Sequence, residues 1–293
     1  MSDLSILCQL LINGILFGSM YGVAAIGLSL IFGSMEIIFI AQGAMMILAA
    51  YATFFIFTLT GLDPFVSLFI VLPAFMALGF LLYHSVFRAV SGAGKNAPLL
   101  IAFGLMILLE NLMSVLWTPN TRAVRTSYTG LGLSFADLEI SVVRLAVFAL
   151  AILAAGGLSL WLRGTLTGKA VRAATEDWQA ACLMGVNPNK VKAITFGIGI
   201  ALAGLAGTAT AVIYPFDPNF GFLFSLKALI AVALGGIGSV GGALAGGIML
   251  GVLESLGSYA FTGVWANAVS YCAFLLVLMF RPQGLFVKQT RDA

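Results

Sequence analysis

Charged residues are scarce in this sequence. Only 9% of the 293 residues are charged and 61% are hydrophobic, with a mean hydropathy of +1.10, whereas soluble domains carry roughly 25% charged residues. The net charge of +3 is too small for a basic nucleic-acid-binding surface. The composition therefore predicts a polytopic membrane protein with no nucleic-acid partner and no large catalytic domain outside the membrane.

Residues for metal, cofactor or nucleotide chemistry are also few. His84 is the only histidine, and none of the three cysteines belongs to a CxxC pair, so no zinc or haem signature is present. The phosphate-binding pattern GxxxxGK(S/T) is absent, because Gly94-Lys95 and Gly168-Lys169 lack the upstream glycine and the following hydroxyl residue. No nucleophile and base pair marks an enzyme within the membrane. We therefore expect no metal, no cofactor, no catalytic residue and no ATP bound by a P-loop.

One glycine motif needs separate treatment. Gly236-Ile-Gly238-Ser-Val-Gly241 matches the dinucleotide-binding pattern GxGxxG. The pattern carries weight only between a strand and a helix of a soluble βαβ unit, and here another membrane-length apolar segment follows. We therefore interpret residues 236–241 as a turn between apolar segments.

Apolar runs dominate the chain, and a spanning helix needs about 20 such residues. The runs are Leu4–Phe32, Ile37–Leu59, Phe65–Phe87, Leu99–Trp117, Val142–Leu162, Ala193–Tyr214, a short Leu226–Gly235, Gly242–Ala260 and Val264–Phe280. The sequence thus predicts an all-α polytopic protein of about eight to nine transmembrane helices with broken or re-entrant segments. All of residues 1–293 belong to one transmembrane domain in this interpretation. In the first run, Gly14, Gly18 and Gly22 predict close helix packing, within the chain rather than between subunits.

The basic residues indicate which side each loop faces. Five of the fourteen lie in residues 163–192, the polar loop: Arg163, Lys169, Arg172, Lys190 and Lys192. Basic loops face the cytoplasm, and residues 88–95 and the C-terminal tail join this side. Residues 118–141 balance acids against bases and fit the outer face. The N-terminus lies outside if Gly33–Glu36 is an inner turn, or inside if Glu36–Gln42 is a re-entrant break.

The polar loop also has a helical pattern. Small or apolar side chains recur every four residues at Ala170, Ala174, Trp178 and Cys182, and Val171 and Ala181 widen the stripe. Gly185 and Asn187-Pro188 end the pattern. We therefore predict one short cytoplasmic helix with an apolar face that needs a partner surface.

Polar residues inside apolar runs mark a candidate translocation pathway. An ionisable group at membrane depth costs several kcal/mol unless it is paired or hydrated. Two glycine-rich interruptions, Gly33–Gly43 and Gly235–Gly242, lie in corresponding halves of the chain, and such interruptions are tolerated where they line a cavity. The candidate pathway residues are Gln42, Gly43, Met46, Glu110, Gly236, Gly238, Gly241 and Glu254. Two alternatives stay open: the glycines relieve crowding, and Glu110 and Glu254 are structural hydrogen-bonding groups.

Several motifs resemble one transporter family. Gln179 to Gly185 is similar to the E-A-A-x-x-x-G loop of ABC-importer permeases, with glutamine for the usual glutamate. The polar loop from Gly168, IFIAQGAMMILAAY near the start, ALGGIGSVGGALAGGIMLGVLES near the end and RPQGLF in the tail resemble the LivH-like branched-chain amino-acid permease family. The matches follow the family order over almost the whole chain. Gln42 stands where the family often has histidine.

The resemblance implies an ABC importer permease in the bacterial inner membrane, with its C-terminus in the cytoplasm. The implied partners are a second permease, two cytoplasmic ATP-binding subunits and a periplasmic substrate-binding protein. Residues 163–192 would then be a coupling loop that contacts an ATPase through Arg172, Ala174, Glu176, Asp177, Trp178, Ala181 and Gly185. Branched-chain amino acids are the implied cargo, ahead of other amino acids, urea or short amides. The alternatives are a passive channel and a proton-coupled carrier that uses Glu110 or Glu254.

Overall fold

A computed structural model of the chain describes residues 3–90, 94, 96–135, 138–236 and 238–260, together with 268, 271–272, 274–277, 279 and 284–285. The elements in chain order are α1 (Asp3–Met35), α2 (Gln42–Thr60), α3 (Pro64–Leu82), α4 (Arg88–Val90), α5 (Ala97–Trp117), β1 (Gly132–Phe135), β2 (Leu138–Ser141), α6 (Val142–Gly164), α7 (Leu166–Glu176), α8 (Trp178–Leu183), α9 (Pro188–Ile213), α10 (Phe220–Gly235) and α11 (Val240–Ala260). A π-helical turn, Tyr83–Phe87, joins α3 to α4.

The helices have the lengths of membrane spans. Within the described ranges, seven are long and apolar enough to cross: α1, α2, α3 with its continuation to Val90, α5, α6, α9 and α11. α10 has 16 residues, about 24 Å at 1.5 Å per residue, which is less than the roughly 30 Å of a hydrocarbon core. The predicted all-α membrane fold is therefore confirmed, and its short helix begins at Phe220 rather than at Leu226.

Two helices form the centre of the bundle. The most apolar stretches of α1 and α9 are each 83% buried, whereas that of α5 is only 22% buried. α3, α5 and α6 lie at the periphery and expose large apolar side chains such as Phe69, Val115 and Leu160. Lipid tails are as apolar as these side chains, so a membrane accommodates this outer layer without further protein.

Glycines let α1 and α11 pack backbone to backbone. A Cβ added at Gly18 would lie 2.6 Å from the carbonyl oxygen of Gly247, and one added at Gly247 would lie 2.2 Å from the amide nitrogen of Gly22. Gly14 meets Gly251 in the same way. The prediction that the α1 glycines serve packing within the chain is confirmed.

The chain reverses between two ends of the bundle. At one end, the hairpin end, strands β1 and β2 pair antiparallel, and the side chain of Gln9 on α1 donates to the carbonyl oxygen of Glu139 (2.6 Å). At the other, the polar-loop end, a Cβ on Gly33 would lie 3.2 Å from Cγ2 of Thr175. α1 therefore crosses the whole bundle and begins at the hairpin end. The strands themselves were not predicted from the sequence.

A hydrogen bond from Tyr128 links the hairpin end to the turn between α2 and α3. Its hydroxyl donates to Oδ2 of Asp63 (2.6 Å), and Asp63 also caps α3 through the amide of Phe65 (2.8 Å). Burial, together with the Asp63 carboxylate, raises the pKa of Tyr128. The phenol therefore stays protonated and remains a donor at neutral pH.

Two non-helical segments lie partly inside the bundle, with the side chains of Phe39 and Phe216 fully buried. Residues 36–41 separate α1 from α2, and residues 214–219 separate α9 from α10. The first turns of α2 and α10 then meet, because a Cβ on Gly43 would lie 2.0 Å from the carbonyl oxygen of Gly221. We call this contact the helix-start crossing. From it α2 runs to the hairpin end and α10 to the polar-loop end, an inverted arrangement of the kind that transporters use.

The glycine cluster at Gly235–Gly242 is not the second interior break. It is the tight connection of α10 to α11 at the polar-loop end, where Gly236 and Gly238 have φ of 95° and 80°, values that favour glycine. The turn predicted at 236–241 is therefore correct. The non-helical segment opposite residues 36–41 is instead 214–219, which contains Pro215 and Pro218 rather than glycine. The pathway role of the glycine cluster stays a prediction.

The polar loop contains two short helices where one was predicted. α7 ends at Glu176 and α8 begins at Trp178, and Asp177 between them is extended, with φ −146° and ψ 103°. Its side chain accepts a hydrogen bond from the amide of Ala180 (2.9 Å), the N-cap geometry that aspartate favours. The four-residue repeat runs on through Asp177, so the spacing alone gave the wrong answer.

The end of the chain returns to the polar-loop end. The amide of Leu285 donates to the carbonyl oxygen of Leu234 at the end of α10 (2.9 Å). Ser255 on α11 bonds to the carbonyl oxygen of Leu10 (2.8 Å), which places the end of α11 at the hairpin end. The two positions lie on opposite sides of the bundle, as the predicted span Val264–Phe280 requires. That span falls mostly outside the described residues.

The α1–α11 contact predicts a steric test. Gly247→Ala should lower the stability of the purified protein by about 1–3 kcal/mol, since its methyl group overlaps backbone of α1. The matched control is Gly157→Ala on α6, where nothing lies within 4 Å of an added Cβ; it should be neutral or up to about 1 kcal/mol stabilising. Thermal unfolding in detergent measures both. Equal behaviour of the two variants would contradict the packing described.

Candidate functional site

A cavity of about 490 Å³ opens at the hairpin end, between α1, α6, α10 and α11. Its polar lining comes from Asn13, Arg144, Lys227, Glu254, Ser255 and Ser258. Leu10, Phe17, Tyr214 and Gly251 complete the wall. We call it the charged cavity, because it gathers two basic side chains and one acidic side chain in an otherwise apolar bundle.

An ion pair between α10 and α11 forms one side of the charged cavity. Lys227 Nζ contacts Glu254 Oε1, and each side chain is only 15% exposed. Lys227 Nζ also donates to the Tyr21 hydroxyl (3.0 Å), which lies 3.4 Å from the hydroxyl of Tyr214. Charges at this depth are tolerated when paired and hydrogen-bonded, and this network joins α1 and the end of α9 to α10 and α11.

Arg144 lies on the α6 wall of the same cavity. Its Nη1 donates to Asn13 Oδ1 (2.9 Å), and its guanidinium lies 5.8 Å from the centre of the Phe17 ring. Among the described residues it forms no ion pair. Among the described residues of its wall, the charged cavity therefore holds one positive charge more than the Glu254 carboxylate balances.

Only one predicted pathway residue, Glu254, lines the charged cavity. Gln42, Gly43 and Met46 are buried at the helix-start crossing. The Gln42 amide donates to the carbonyl oxygens of Ala24 (3.4 Å) and Gly199 (3.3 Å), so it links α2 to the middle of α1 and of α9.

Glu110 also belongs to the helix-start crossing. Its Oε1 accepts a hydrogen bond from the amide of Phe222 (3.0 Å), which caps the first turn of α10 with a negative charge, where a helix dipole favours one. The predicted residues Gly236, Gly238 and Gly241 lie far from it, at the polar-loop end, where the amide of Gly238 donates to Ser29 Oγ (2.9 Å). The structure thus separates the predicted pathway residues into three places.

Lys227 and Arg144 were not among the site residues predicted from the sequence. Lys227 is the only charged residue between Asp217 and Glu254. Because an isolated charge in an apolar run needs a partner, the sequence did contain a signal for Lys227. Arg144 stands at the start of a span and carried no comparable signal. In the described part of the chain, no three His, Cys, Asp or Glu side chains come together in a way that could hold a metal ion.

The predicted contact stripe of the polar loop is largely used within the chain. Ala174 and Ala181 are buried, and Lys192 Nζ lies 4.8 Å from the ring centre of the half-buried Trp178. At the end of α8, the apolar side chains of Leu183 (89%) and Met184 (85%) are exposed. We call these two residues the α8 tip.

The charged residues that were predicted to contact an ATPase lie on the surface beside the apolar stripe. Arg172 and Glu176 are 3.6 Å apart and largely exposed, as is the α8 cap Asp177. Gly185 follows the α8 tip with φ 85°. The polar loop therefore presents a small apolar tip with charges on the neighbouring helix.

The buried ion pair predicts strong coupling between its partners. Lys227→Met or Glu254→Gln alone should cost about 3–5 kcal/mol, because each leaves an unpaired charge, and the double substitution should recover most of that loss. The control is Arg172→Met with Glu176→Gln, an exposed pair worth roughly 0.5 kcal/mol or less. A double-mutant cycle on unfolding in detergent measures both. Additive effects at Lys227 and Glu254 would contradict the pairing.

Comparison with known proteins shows the family. A family described as "Branched-chain amino acid transport system / permease component" matches residues 10–278. The chain is 33% identical to the high-affinity branched-chain amino acid transport system permease protein BraD of Pseudomonas aeruginosa, and 30% identical to LivH of Escherichia coli, over 94% of this chain and 94% of each relative. The permease protein LivM of E. coli is 27% identical over 90% of this chain and 67% of its own length. No solved structure matches. The chain therefore belongs to the branched-chain amino-acid transport permease family, as its motifs predicted.

Proposed function

We propose that this chain is one permease subunit of an ATP-driven importer that carries a branched-chain amino acid across the bacterial inner membrane. The observation that carries the proposal is similarity along 94% of the chain to permeases named for this transport. The proposed partners are a second permease, since E. coli has both LivH and LivM as permease proteins named for this transport, two cytoplasmic ATP-binding subunits and a periplasmic binding protein. ATP hydrolysis belongs to those partners.

The distribution of basic residues supports an orientation. The polar loop carries five of the fourteen basic residues, which favours the cytoplasm. The hairpin end then faces the periplasm, and α1 begins on that side. Leu285 lies beside Leu234 at the polar-loop end, which supports a cytoplasmic C-terminus.

The α8 tip is the proposed contact for an ATPase. Exposed apolar side chains on a short capped helix suit insertion into a groove of a partner. Beneath them, Ala181 and Val171 are buried against the rest of the chain, so a push on α8 would reach the bundle through packed contacts. Residues 163–192 act as the coupling loop in this proposal.

A route leads from the coupling loop toward the charged cavity. A space of about 30 Å³ separates α7 from α1 and the α10–α11 turn, with Thr175, Ser29 and Gly238 in its wall. The glycine turn therefore adjoins α7. Farther along the same two helices, Lys227 of α10 pairs with Glu254 of α11. In this proposal, a shift of the turn would displace the ion pair.

Reconstitution tests the function. The chain with its second permease, its two ATPases and its binding protein in proteoliposomes should accumulate L-leucine, L-isoleucine or L-valine only with ATP inside the compartment that holds the ATPases. Uptake by this chain alone would indicate a passive channel. Uptake that follows a proton gradient without ATP would indicate an ion-coupled carrier. Either result would overturn the proposal.

The orientation predicts the labelling of a native cysteine. Cys182 on α8 is exposed, so in a Cys8→Ser, Cys272→Ser background a membrane-impermeant maleimide should modify it only after the cells are permeabilised. Arg125→Cys, at an exposed hairpin-end position, should be modified in spheroplasts without permeabilisation. The reverse pattern would place the polar loop outside the cell.

The α8 tip predicts an uncoupled variant. Leu183→Ser with Met184→Ser should reduce transport and substrate-stimulated ATP hydrolysis by about tenfold or more, since the apolar anchor of an interface is lost, without preventing membrane insertion. Leu166→Ser, an equally exposed leucine on α7, is the control and should retain coupling. Transport equal to that of the wild type in the double variant would remove the tip from the coupling contact.

Replacements at Trp178 and Gly185 test the segment that holds the tip. Gly185→Ala forces a left-handed backbone on a residue with a Cβ, at a cost of roughly 1–2 kcal/mol, and Trp178→Ala removes the ring beneath Lys192. Both should impair ATPase coupling while the protein still inserts. Normal transport by both variants would contradict the coupling assignment of this segment.

A further inference from the structure

Two neighbouring cavities share a wall at the hairpin end. The charged cavity, about 490 Å³, and a smaller one of about 160 Å³ are both lined by Tyr214 and Lys227. The smaller one is otherwise aromatic and aliphatic, formed by Tyr21, Phe220, Leu223 and Phe224. Small-molecule sites combine an apolar enclosure of this size with a few convergent polar groups.

The charge balance of the charged cavity favours a carboxylate. Lys227 is paired with Glu254, while Arg144 has no acidic partner among the described residues. Its only hydrogen bond there is to the neutral side chain of Asn13. A planar guanidinium binds a carboxylate through two parallel hydrogen bonds, so Arg144 offers the free half of such a pair.

Glu254 offers the complementary group. Its Oε1 bonds to Lys227, whereas its Oε2 is buried and accepts no hydrogen bond within the described part of the chain. A buried acceptor that lacks a donor is costly, and an ammonium group supplies three donors. Counting only the residues that the structure describes, the cavity thus combines an arginine without an acidic partner and a carboxylate oxygen without a donor.

We propose that the two cavities form a substrate site for a zwitterionic aliphatic amino acid within the permease itself. Arg144 binds the α-carboxylate, Glu254 binds the α-ammonium, and the apolar side chain lies against Leu223 and Phe224 in the smaller cavity. This inference rests on the proposed function and adds a site to it: the chain contacts the amino acid directly, after the binding protein has released it. The Lys227–Glu254 pair then lies between the ligand and the α10–α11 turn.

Equilibrium binding to the assembled transporter tests the site. The complete complex in nanodiscs, without binding protein, should bind radiolabelled L-leucine. Leucinol, which lacks the carboxylate, and 4-methylpentanoate, which lacks the ammonium group, should each compete about tenfold or more weakly, since each loses a charge-assisted hydrogen bond. L-alanine should also compete about tenfold or more weakly, because it buries fewer apolar carbons. Leucinol that competes as well as leucine would overturn the carboxylate contact and the proposal with it.

Arg144 variants separate recognition from structure. Arg144→Gln should weaken leucine binding by about tenfold to a hundredfold and leave leucinol binding unchanged, and Arg144→Lys should recover part of the loss. Arg125→Gln, an exposed arginine at the same end, is the control and should bind leucine as the wild type does. Gel filtration verifies that each variant is folded. A purely structural Arg144 would weaken leucine and leucinol equally, which would overturn the proposal.

The same preparations distinguish the two levels of the proposal. ATP-driven leucine uptake by the wild type, together with unchanged leucine affinity in Arg144→Gln, would overturn the cavity site and leave the proposed function standing. A wild-type complex that transports no amino acid would overturn both. Leucine binding that responds to Arg144 and to the ligand's carboxylate would support both.

Discussion

Unpaired backbone groups are intolerable in a lipid core, and this constraint governs the architecture. Two stretches of the chain, residues 36–41 and 214–219, are non-helical, and each places a phenylalanine ring in the core of the bundle. Such stretches persist at membrane depth only where protein or water satisfies them. Here Phe39 of the first stretch packs against Phe196 of α9, and Phe216 of the second packs against Tyr51 of α2. The outer helices form a layer that lipid can replace.

The groups that satisfy the interior come from distant parts of the chain. Ser225 Oγ accepts from the amide of Gly43 (2.8 Å) and donates to the carbonyl oxygen of Ile40. Glu110 caps the first turn of α10, and Arg122 and Phe216 exchange backbone hydrogen bonds of 2.8 Å. The helix-start crossing is thus a polar joint inside an apolar protein. Two helices begin at this joint and run to opposite ends of the bundle.

α10 and α11 connect the polar loop to the charged cavity. Their shared turn lies beside the polar loop, while Lys227 and Glu254 face the charged cavity. α11 is held to α1 by direct backbone contact through glycines, which leaves little freedom for independent bending. The Lys227–Glu254 ion pair is a polar contact between α10 and α11 at the cavity.

The sequence by itself determined the class of protein, because its determinants are local or additive. Low charge and long apolar runs require a membrane. The basic residues of the polar loop indicate an orientation, and motifs in family order identify the permease family. The α1 glycines predicted close packing because four-residue spacing fixes one helix face without knowledge of the partner.

Only the tertiary structure decided where the helices begin and end and which remote residues pair. Asp177 ends one helix and caps another because its side chain finds the Ala180 amide, a choice that periodicity does not encode. The non-helical segment at 214–219 contains Pro215 and Pro218, and Glu110 from a distant helix bonds to the first turn of α10 that follows it. Lys227 lies in an apolar run, and only the fold places it beside Glu254 and beside the hydroxyl of Tyr21, which is 206 positions earlier in the chain. Pairing between remote residues depends on how helices are arranged in space, and that arrangement is the sum of many contacts that no single stretch of sequence contains.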